Sequence, residues 1–323
     1  MKIFLTGISG FLGETISEIL TNQGHELAAL SRNVTIGDKK LEKKTNNINS
    51  EIKKIKYYHG DLSDFLAISD ILKDFQPEVI IHLAAQTSVS YSFTHMKEVF
   101  DVNFMGVFNI AEAARRELPN LKRFIWSGSV EEYGIQHNNN YPITEDEVQL
   151  HPVSPYGIAK IAAENFLKFL FQAYGFPSII FRNANSYGRK FNHKFVVESI
   201  IFQMIQGKHL IKLGDPEPIR DFIFKDDLVN AYVLAVECEN KEILGEAINI
   251  TTNEPISIKN LAEKIKKITD YNGEIQWNNF PKRIIEIPKL NTDNLKAKKL
   301  LNWSPKFTLD EGLKITVSYY TKI

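Results

Sequence analysis

The sequence predicts an α/β fold with a doubly wound parallel sheet and a second, smaller lobe. Short apolar runs alternate with longer helical patterns through the first half of the chain, as strands and helices do in βα units. These apolar runs are continuous, which is typical of parallel strands covered on both faces. The chain has 323 residues, more than a single hydrophobic core usually serves. We therefore expect a substantial unit besides the sheet.

The predicted elements follow in order from the N-terminus. The strand KIFLTG leads into a helix from Phe11 to about Gln23, and HELAALSR is the second strand. The next strands are KIKYYHGDL, EVIIHLAA and RFIWSGS, separated by helices near residues 65–74 and 99–115. The Lys-rich segment DKKLEKKTNNINSEIKKIK is predicted to be a solvated loop or helix face rather than a binding tract.

The second half of the chain is less regular. SIIFRNANSYG reads as a buried strand that ends in a polar loop, and EAINITT reads as a late strand. We expect the sheet in residues 1–187, with part of residues 225–252 returning to it. The smaller α/β lobe is expected mainly in residues 188–323.

Composition excludes several classes of partner. Lys and Arg together number 39, as do Asp and Glu, so the overall charge indicates neither nucleic acid nor an anionic membrane as a partner. Cys238 is the single cysteine, so no internal disulfide can form. Met1 and Lys2 lead directly into the apolar run of the first strand, with no h-region and cleavage site behind it, and no apolar run approaches the ~20 residues of a membrane helix. We expect a soluble, cytoplasmic protein.

The first strand and first helix are joined by the glycine-rich stretch TGISGFLG. Its first glycine permits a tight turn, its second allows the backbone to approach a pyrophosphate, and its third allows close helix packing. The helix N-terminus then faces the anion. This placement indicates a dinucleotide site, with candidate residues Gly7, Gly10, Phe11, Leu12 and Gly13.

The end of the second strand bears on the choice of cofactor. An NAD site of the simplest kind carries an acidic residue here, about 20 residues beyond the glycines, whereas this chain has Ser31 and Arg32. A hydroxyl and a guanidinium can bind a 2′-phosphate, so we favour NADP over NAD. The alternative is a surface arginine that stacks on the adenine or points into water. Asp61, which ends the third strand, either accepts from the adenine amino group or caps the next helix.

A tyrosine and a lysine share one face of the helix that begins at SPYGIAK. Tyr156 and Lys160 are four residues apart. An ammonium beside a phenol favours the phenolate and so lowers the phenol pKa, which allows Tyr156 to act as an acid or base near neutral pH. The same spacing also occurs on many helices by chance.

Together these motifs resemble the extended short-chain dehydrogenase/reductase family, and in particular its nucleotide-sugar epimerases and dehydratases. The stretches that carry the resemblance are TGISGFLG, GDL, HLAAQTSV, DVNFMGVFN, SGSVEEYG, SPYGIAK, RNANSYG, IRDFIFKDDLV and NWSPKFTLDEGL. They occur in the family's order from Thr6 to Leu313. The resemblance implies a Rossmann-type domain in residues 1–187 and a nucleotide-sugar lobe mainly in residues 188–323.

The resemblance also implies roles for individual residues. Tyr156 and Lys160 correspond to the catalytic pair, with Lys160 also holding the nicotinamide ribose, and Ser129 to the residue that hydrogen-bonds the reacting sugar hydroxyl. Asn185 and Arg220 correspond to positions that hold the nucleotide diphosphate; Arg220 alternatively forms an ion pair with Asp221 or Asp226. Further candidate positions are Asp61, Leu62, Leu83, Ala84 and Ala85 for the cofactor, and Ser88, Asn103, Lys194 and Arg283 for the substrate. The family further implies a homodimer in which the helices around residues 99–115 and 156–174 form a four-helix contact. From the sequence alone, the protein's own core could equally cover these helices.

Glu131 distinguishes the reactions that family members catalyse. Oxidation at C4 of the sugar acidifies the C5 hydrogen, so a carboxylate at Glu131 can remove it and drive loss of the C6 hydroxyl. Val130 stands where some dehydratases carry a separate acid, which leaves Glu131 to serve both steps. Glu132 is expected to be structural, since successive side chains of an extended segment alternate.

A nucleotide-sugar 4,6-dehydratase is therefore the leading hypothesis. The alternatives are an NADPH-dependent 4-keto-6-deoxyhexose reductase, a 4-epimerase, and a non-catalytic dinucleotide-binding sensor. LGDPEPIRDF and RIIEIPKLNTDNLKAKKLLNW are similar to segments of the GDP-mannose dehydratases and reductases, although Ile284 replaces the usual proline. By the resemblance to those enzymes, Arg283 and Glu286 would meet the nucleotide. Because of this similarity, and because Ser31 and Arg32 also agree with that group, we favour a GDP-sugar over dTDP- or UDP-sugars.

Overall fold

A computed structural model describes residues 1–32, 55–136, 141–146, 149–190, 193–280 and 283–321. The strands in this part of the chain are β1 (Lys2–Thr6), β2 (Glu26–Ser31), β3 (Ile55–His59), β4 (Val79–His82), β5 (Arg123–Ser129), β6 (Ser178–Asn183), β7 (Asn185–Tyr187), β8 (Leu210–Lys212), β9 (Ile219–Arg220), β10 (Phe222–Phe224), β11 (Ala247–Ile250), β12 (Ile256–Ser257) and β13 (Glu274–Gln276).

The α-helices of the same ranges are α1 (Gly13–Asn22), α2 (Phe65–Phe75), α3 (Val89–Ser92), α4 (Met96–Phe100), α5 (Gly106–Glu117), α6 (Pro155–Tyr174), α7 (Val196–Ile205), α8 (Lys225–Glu237), α9 (Ile258–Ile268), α10 (Leu295–Leu301) and α11 (Leu309–Thr321). A π-helical turn, Asp101–Met105, joins α4 to α5, and short 3₁₀ turns occupy Val130–Glu132 and Lys241–Ile243.

Seven strands of the described ranges form one sheet in the order β11-β6-β5-β4-β1-β2-β3. β1 pairs in parallel with both β2 and β4, and β2–β3 and β4–β5 are also parallel. The strand order reverses between β1 and β4, and in open α/β sheets ligands bind beyond the carboxyl ends of strands at such a switch point. The predicted Rossmann-type fold class is confirmed.

Contacts divide the chain into two compact units. The first contains residues 1–128, 155–181 and 232–247, and the second contains residues 129–154, 182–231 and 248–323. This division differs from the predicted domains chiefly at residues 129–154, whose apolar side chains pack with the late segment around residues 287–290. The assignment of cofactor and sugar nucleotide to separate lobes stays a prediction.

Each unit has its own apolar core. In the first, buried side chains of the strands pack with those of the helices, among them Phe4, Ile80, Phe124, Ala111 and Leu167. In the second, α7, α9 and α11 contribute Ile200, Leu261 and Leu313 to a core that also includes Tyr187 and Phe224. Two-stranded sheets, β7 with β10, β9 with β12 and β8 with β13, complete this unit.

Two predicted helices have different bounds in the structure. The first begins at Gly13 rather than Phe11, because the preceding residues form the glycine-rich turn. The predicted helix of residues 99–115 is interrupted by the π-helical turn, inside which Asn103 hydrogen-bonds the backbone of Gln86. Most of the Lys-rich segment lies outside the described residues. None of the helices within the described ranges is long and apolar enough to span a bilayer.

Candidate functional site

The glycine-rich turn after β1 packs tightly against the backbone that follows β4. Gly7 has a φ of +76°, and a Cβ atom there would lie 2.8 Å from the backbone nitrogen of Ala84. A Cβ on Gly13 would lie 2.3 Å from the carbonyl oxygen of Gly7, whereas one on Gly10 would meet only the Gly7 carbonyl group within 4 Å. Side chains at these positions would fill the turn, so the geometry fits the close approach of a dinucleotide pyrophosphate.

The carboxyl ends of β1 and β4 are tied together by side chains. The Thr6 hydroxyl lies 2.7 Å from Nδ1 of His82 and accepts from the Ala84 N–H at 3.3 Å. Burial lowers the pKa of His82 to about 3, and the nearby Lys160 ammonium acts in the same direction. A neutral imidazole therefore helps to fix the segment containing Leu83, Ala84 and Ala85, all predicted cofactor residues.

Ser31, Arg32 and Asp61 lie near one another beyond β2 and β3. Ser31 is the last residue of β2, and Arg32 is exposed. Asp61 accepts from the backbone N–H and the hydroxyl of Ser63, which lowers its pKa, with a smaller contribution from the Arg32 guanidinium. The N-cap of α2 is Asp64, whose side chain accepts from the Ala67 N–H. Asp61 therefore does not cap this helix, which was one of its two predicted roles.

Tyr156 and Lys160 lie together on the first turns of α6, and both are buried. The Lys160 ammonium donates to the carbonyl oxygen of Ser127 at 2.5 Å and lies 4.9 Å from the ring of Trp126. It is 5.8 Å from the ring centroid of Tyr156. Burial and the Ser127 carbonyl hold the ammonium in one place beside the phenol.

Three further predicted residues of the first unit, Ser88, Asn103 and Leu62, have structural partners. Ser88 caps α3 by accepting from the Tyr91 N–H. Both polar atoms of the Asn103 amide bond the backbone of Gln86, and the side chain is fully buried, an arrangement that does not support direct substrate contact. The carbonyl of Leu62 accepts from the Asn109 amide at 2.7 Å.

In the second unit, residues 129–132 form a closed turn rather than an extended segment. The backbone N–H of Ser129 donates to Oε1 of Glu132 at 2.7 Å, and the Ser129 hydroxyl accepts from the Glu131 N–H at 3.2 Å. This is a capping box, and the spacing Ser-x-x-Glu after a strand was the sequence signal for it. The structural role of Glu132 therefore arises from a hydrogen bond and not from strand alternation.

The side chains of Val130 and Tyr133 hold this turn in place by packing into an apolar cluster. Val130 is buried in an apolar cluster with Tyr133, Ile143, Ile287 and Leu290. An acid at position 130 would enter that cluster as an unpaired charge, which is costly. Valine at this position is therefore explained by packing.

The Tyr133 hydroxyl enters a buried polar network that the sequence analysis missed. It donates to Oδ1 of Asn249 at 2.7 Å and accepts from the Arg182 guanidinium at 2.8 Å. The Asn249 N–H in turn donates to a carboxylate oxygen of Glu145 at 2.7 Å. Since Tyr133 directly follows the turn, the network holds in place the backbone that carries Glu131.

Glu131 faces a cluster of charges from distant parts of the sequence. Burial raises the pKa of Glu131, and the Arg220 and Arg283 guanidiniums oppose that shift. Arg220 donates to Oε1 of Glu286 at 2.5 Å, and Arg283 lies 3.3 Å from the same oxygen. The structure thus brings three predicted or implied residues, Glu131, Arg220 and Arg283, around Glu286.

The ion pairs considered for Arg220 within its own turn are not those observed. Asp221 is occupied by Thr251, Thr252 and Asn253, whose hydroxyls or backbone N–H groups donate to it. Asp226 pairs with Lys225 at 2.8 Å.

Two further predicted substrate residues, Asn185 and Lys194, belong to the second unit. The Asn185 N–H donates to the Asp221 carbonyl at 3.2 Å, and Lys194 is exposed. No group of three or more His, Cys, Asp or Glu side chains in the described ranges is placed to bind a metal ion.

The chain is similar to proteins of known structure and activity along its length. A family model described as GDP-mannose 4,6 dehydratase matches residues 4–316. The UDP-glucose 4-epimerase of Thermotoga maritima, solved with UDP-glucose, is 31% identical, has a TM-score of 0.86 and covers 100% of this chain and 99% of its own. The UDP-glucuronic acid 4-epimerase of Bacillus cereus, solved with UDP-glucuronic acid and NAD, is 26% identical, with a TM-score of 0.84 and the same coverage.

A dehydratase is also among these relatives. The dTDP-glucose 4,6-dehydratase of Escherichia coli is 26% identical over 99% of this chain and 93% of its own length. The family model spans nearly the whole chain, and the fold and motifs agree with it. The protein therefore belongs to the GDP-mannose 4,6 dehydratase family of the extended short-chain dehydrogenase/reductase enzymes, which includes nucleotide-sugar dehydratases and epimerases.

Proposed function

We propose that the protein is a nucleotide-sugar 4,6-dehydratase, which converts an NDP-hexose to an NDP-4-keto-6-deoxyhexose. The observation that carries this proposal is that the two glutamates of the Ser129 turn have different surroundings. Glu132 closes the turn, so the Glu131 carboxylate is not needed for capping and is held buried beside two arginines. A buried carboxylate with a raised pKa is suited to proton transfer.

A nicotinamide dinucleotide fits the residues of the first unit. When bound, it would accept hydride from C4 of the sugar and return it to C6. Gly7, Gly10 and Gly13 would hold its pyrophosphate, and Arg32 would pair with a 2′-phosphate, which favours NADP. NAD is the alternative, since the Bacillus cereus relative was solved with it.

In the first step, Tyr156 removes the proton of the C4 hydroxyl while that carbon is oxidised. Lys160 stabilises the phenolate charge from its fixed place on the Ser127 carbonyl. Ser129 holds the same sugar oxygen: its hydroxyl oxygen accepts from the Glu131 N–H, which leaves its own proton to donate.

In the second step, Glu131 removes the C5 proton, whose acidity the 4-ketone has raised. The C6 hydroxyl leaves as water, which gives a C5–C6 double bond, and the same carboxyl supplies the proton that the leaving hydroxyl needs. The bound dinucleotide would supply the hydride that C6 gains, and solvent would supply the proton that C5 regains. Val130 provides no second acid, so Glu131 alone, or with a water, serves both transfers.

Arg220 and Arg283 are the proposed diphosphate ligands of the substrate. Two guanidiniums converge on one carboxylate oxygen, an arrangement that also suits a phosphate oxygen. The family model favours a GDP-sugar, whereas the relatives of known structure were solved with UDP-sugars. We propose GDP first.

A 4-epimerase is the second candidate, favoured by the 31% identity to the Thermotoga maritima epimerase. In an epimerase, the 4-keto sugar must rotate in the site so that C4 receives hydride on its opposite face. Such a reaction does not use a base at C5. The position of Glu131 therefore favours dehydration.

We also propose a homodimer built through α5 and α6. Met105, Ile158 and Phe169, which lie on or next to these helices, are exposed apolar side chains. Such residues are typical of a covered interface.

The function is tested by incubating the protein with GDP-, dTDP- and UDP-hexoses in the absence of added reductant. The proposal expects a 4-keto-6-deoxy product from at least one of them, with no net change in nicotinamide absorbance. An inverted C4 configuration with C6 still hydroxylated would select the epimerase. Steady NADPH consumption with a 4-keto-6-deoxy sugar would select a reductase.

A further inference from the structure

We propose that Trp126 is a positioning residue for the Tyr156–Lys160 pair: the face of its indole ring holds the Lys160 ammonium charged and in place beside the phenol. This inference rests on the proposed function, because it takes Tyr156 as the base of the first step. It adds a residue of β5 that acts on the reaction through Lys160.

The Lys160 ammonium contacts two adjacent residues of β5. Nζ of Lys160 lies over the Trp126 ring, 4.9 Å from its centroid, and donates to the carbonyl oxygen of Ser127 at 2.5 Å. Trp126 and Lys160 are both buried. A cation within about 6 Å of an aromatic centroid is attracted by the electron-rich face of the ring, and tryptophan attracts it more strongly than tyrosine or phenylalanine.

Burial gives this attraction its importance. Removing an ammonium from water disfavours its charged form, whereas a neighbouring π face and a carbonyl oxygen favour that form. The Tyr156 ring centroid lies 5.8 Å from Nζ of Lys160, and the lysine stabilises a phenolate there only while it is charged. Loss of the indole face would therefore affect the phenol through the lysine.

The neighbouring titratable groups have partners or are neutral. Burial lowers the pKa of His82, on β4, to about 3, so its imidazole is neutral. Tyr91 packs with Tyr156, and the hydrogen bond from the Tyr91 hydroxyl to Glu98 raises the pKa of Tyr91. The helical segments packed against α6 carry further charged groups that pair with one another, Lys97 with Asp101, and Glu112 with Arg115 and Arg116. The titration of Tyr156 is therefore expected to follow the state of Lys160.

A purely structural role for Trp126 makes a different prediction. Its ring belongs to the apolar core of the first unit, so its loss would lower stability in either case. Phe124 lies two residues earlier on the same strand, is buried in the same core and stacks on His82. Phe124→Leu therefore removes another buried ring of β5. Comparing the two positions separates packing from an effect on the ammonium.

The test is an NMR titration of the protein labelled at Cζ of tyrosine, in which the Tyr156 resonance is identified by its loss in Tyr156→Phe. Lys160→Met is expected to raise the pH midpoint of this titration, and Trp126→Leu to raise it by about one pH unit. Trp126→Phe keeps a weaker π face and is expected to fall between Trp126→Leu and the wild type. Phe124→Leu should lower the melting temperature and leave the midpoint unchanged.

A second measurement changes the charge distribution of the ring while nearly keeping its size. Replacing the 3 tryptophans of the chain with 5-fluorotryptophan weakens their electron-rich faces. We expect the Tyr156 midpoint to rise in the otherwise wild-type protein. The same fluorination should leave the midpoint of Trp126→Phe unchanged. This comparison decides the matter even if Trp126→Leu does not fold.

Two results would overturn the inference while leaving the proposed function intact. One is an unchanged midpoint in Trp126→Leu, or in the fluorinated protein, alongside a raised midpoint in Lys160→Met. The other is an equal rise in Phe124→Leu. An unchanged midpoint in Lys160→Met would refute the Tyr156–Lys160 pair itself, and the inference with it.

Discussion

The backbone N–H of Ser129 donates to the carboxylate of Glu132 at 2.7 Å, and the Ser129 hydroxyl accepts from the N–H of Glu131. This reciprocal pair closes the turn after β5 and separates two adjacent glutamates. Glu132 completes the local structure, and the buried Glu131 carboxylate interacts electrostatically with the Arg220 guanidinium. The proposed chemistry depends on that separation.

Replacing Glu132 should lower the free energy of unfolding, because its carboxylate closes the turn and takes no part in the proposed reaction. Glu132→Ala leaves the buried Ser129 N–H without its acceptor, and we expect a loss of about 1–3 kcal/mol in the free energy of unfolding. Glu132→Gln keeps an oxygen at this place and should retain more stability. Urea denaturation of the two variants checks this, and equal stability of the two would argue against the capping role.

Replacing Glu131 should stop the reaction at a defined stage. Glu131→Gln should still oxidise C4 but should form the 4-keto-6-deoxy product at least about 100-fold more slowly, the usual contribution of a general base. Rapid-quench analysis should show the 4-keto hexose accumulating. Full dehydration by this variant would assign the base elsewhere.

The pH profile should carry the signature of the same carboxylate. Burial raises the pKa of Glu131, and a base must be ionised, so the elimination rate should fall as pH drops through a value above the ~4.3 of an ordinary glutamate. The residual rate of Glu131→Gln should lack this acidic limb. An identical limb in both proteins would mean that another group titrates.

Tyr133 should position the turn that carries Glu131 without taking part in proton transfer itself. Tyr133→Phe removes the hydroxyl shared by Arg182 and Asn249, which should lower stability by about 1–3 kcal/mol and slow elimination more than C4 oxidation. Tyr271→Phe is the matched control, because it removes a buried hydroxyl that bonds the Lys208 carbonyl. If both variants slowed elimination equally, the network would have no special bearing on Glu131.

His82 should make the protein sensitive to acid. Its pKa is about 3 in the folded state and about 6.5 when unfolded. The unfolded chain therefore binds a proton that the folded chain does not, and stability falls as pH drops below about 6.5, by about 1.4 kcal/mol for each pH unit. His82→Asn should unfold with a shallower dependence on pH between 6.5 and 5. Parallel curves for the two proteins would contradict this assignment.

Local patterns predicted much of the fold and part of the site. Continuous apolar runs identified the strands, and glycines after β1 identified the turn that packs on Ala84. Helix periodicity placed Tyr156 and Lys160 on one helix face, and the resemblance to the family implied their role as a pair. Each of these features is decided by neighbours in sequence.

Other features depend on residues far apart in the chain. Arg220 pairs with Glu286, 66 residues away, and Asn103, inside the π-helical turn, hydrogen-bonds the backbone of Gln86, 17 residues away. Tyr133 meets Asn249 across 116 residues. Sequence spacing alone could not identify these partners, because folding selects them from many residues of similar chemistry.

Dehydration by this protein depends, in the proposed mechanism, on removal of the C5 proton of the sugar by Glu131. This step is tested most directly by running the reaction in deuterium oxide with the preferred NDP-hexose and locating deuterium in the product by NMR. Proton removal at C5 and its restoration from solvent predict a 4-keto-6-deoxy product that carries one deuterium at C5, and no such product from Glu131→Gln. A C4-inverted hexose without deuterium at C5 would contradict the claim.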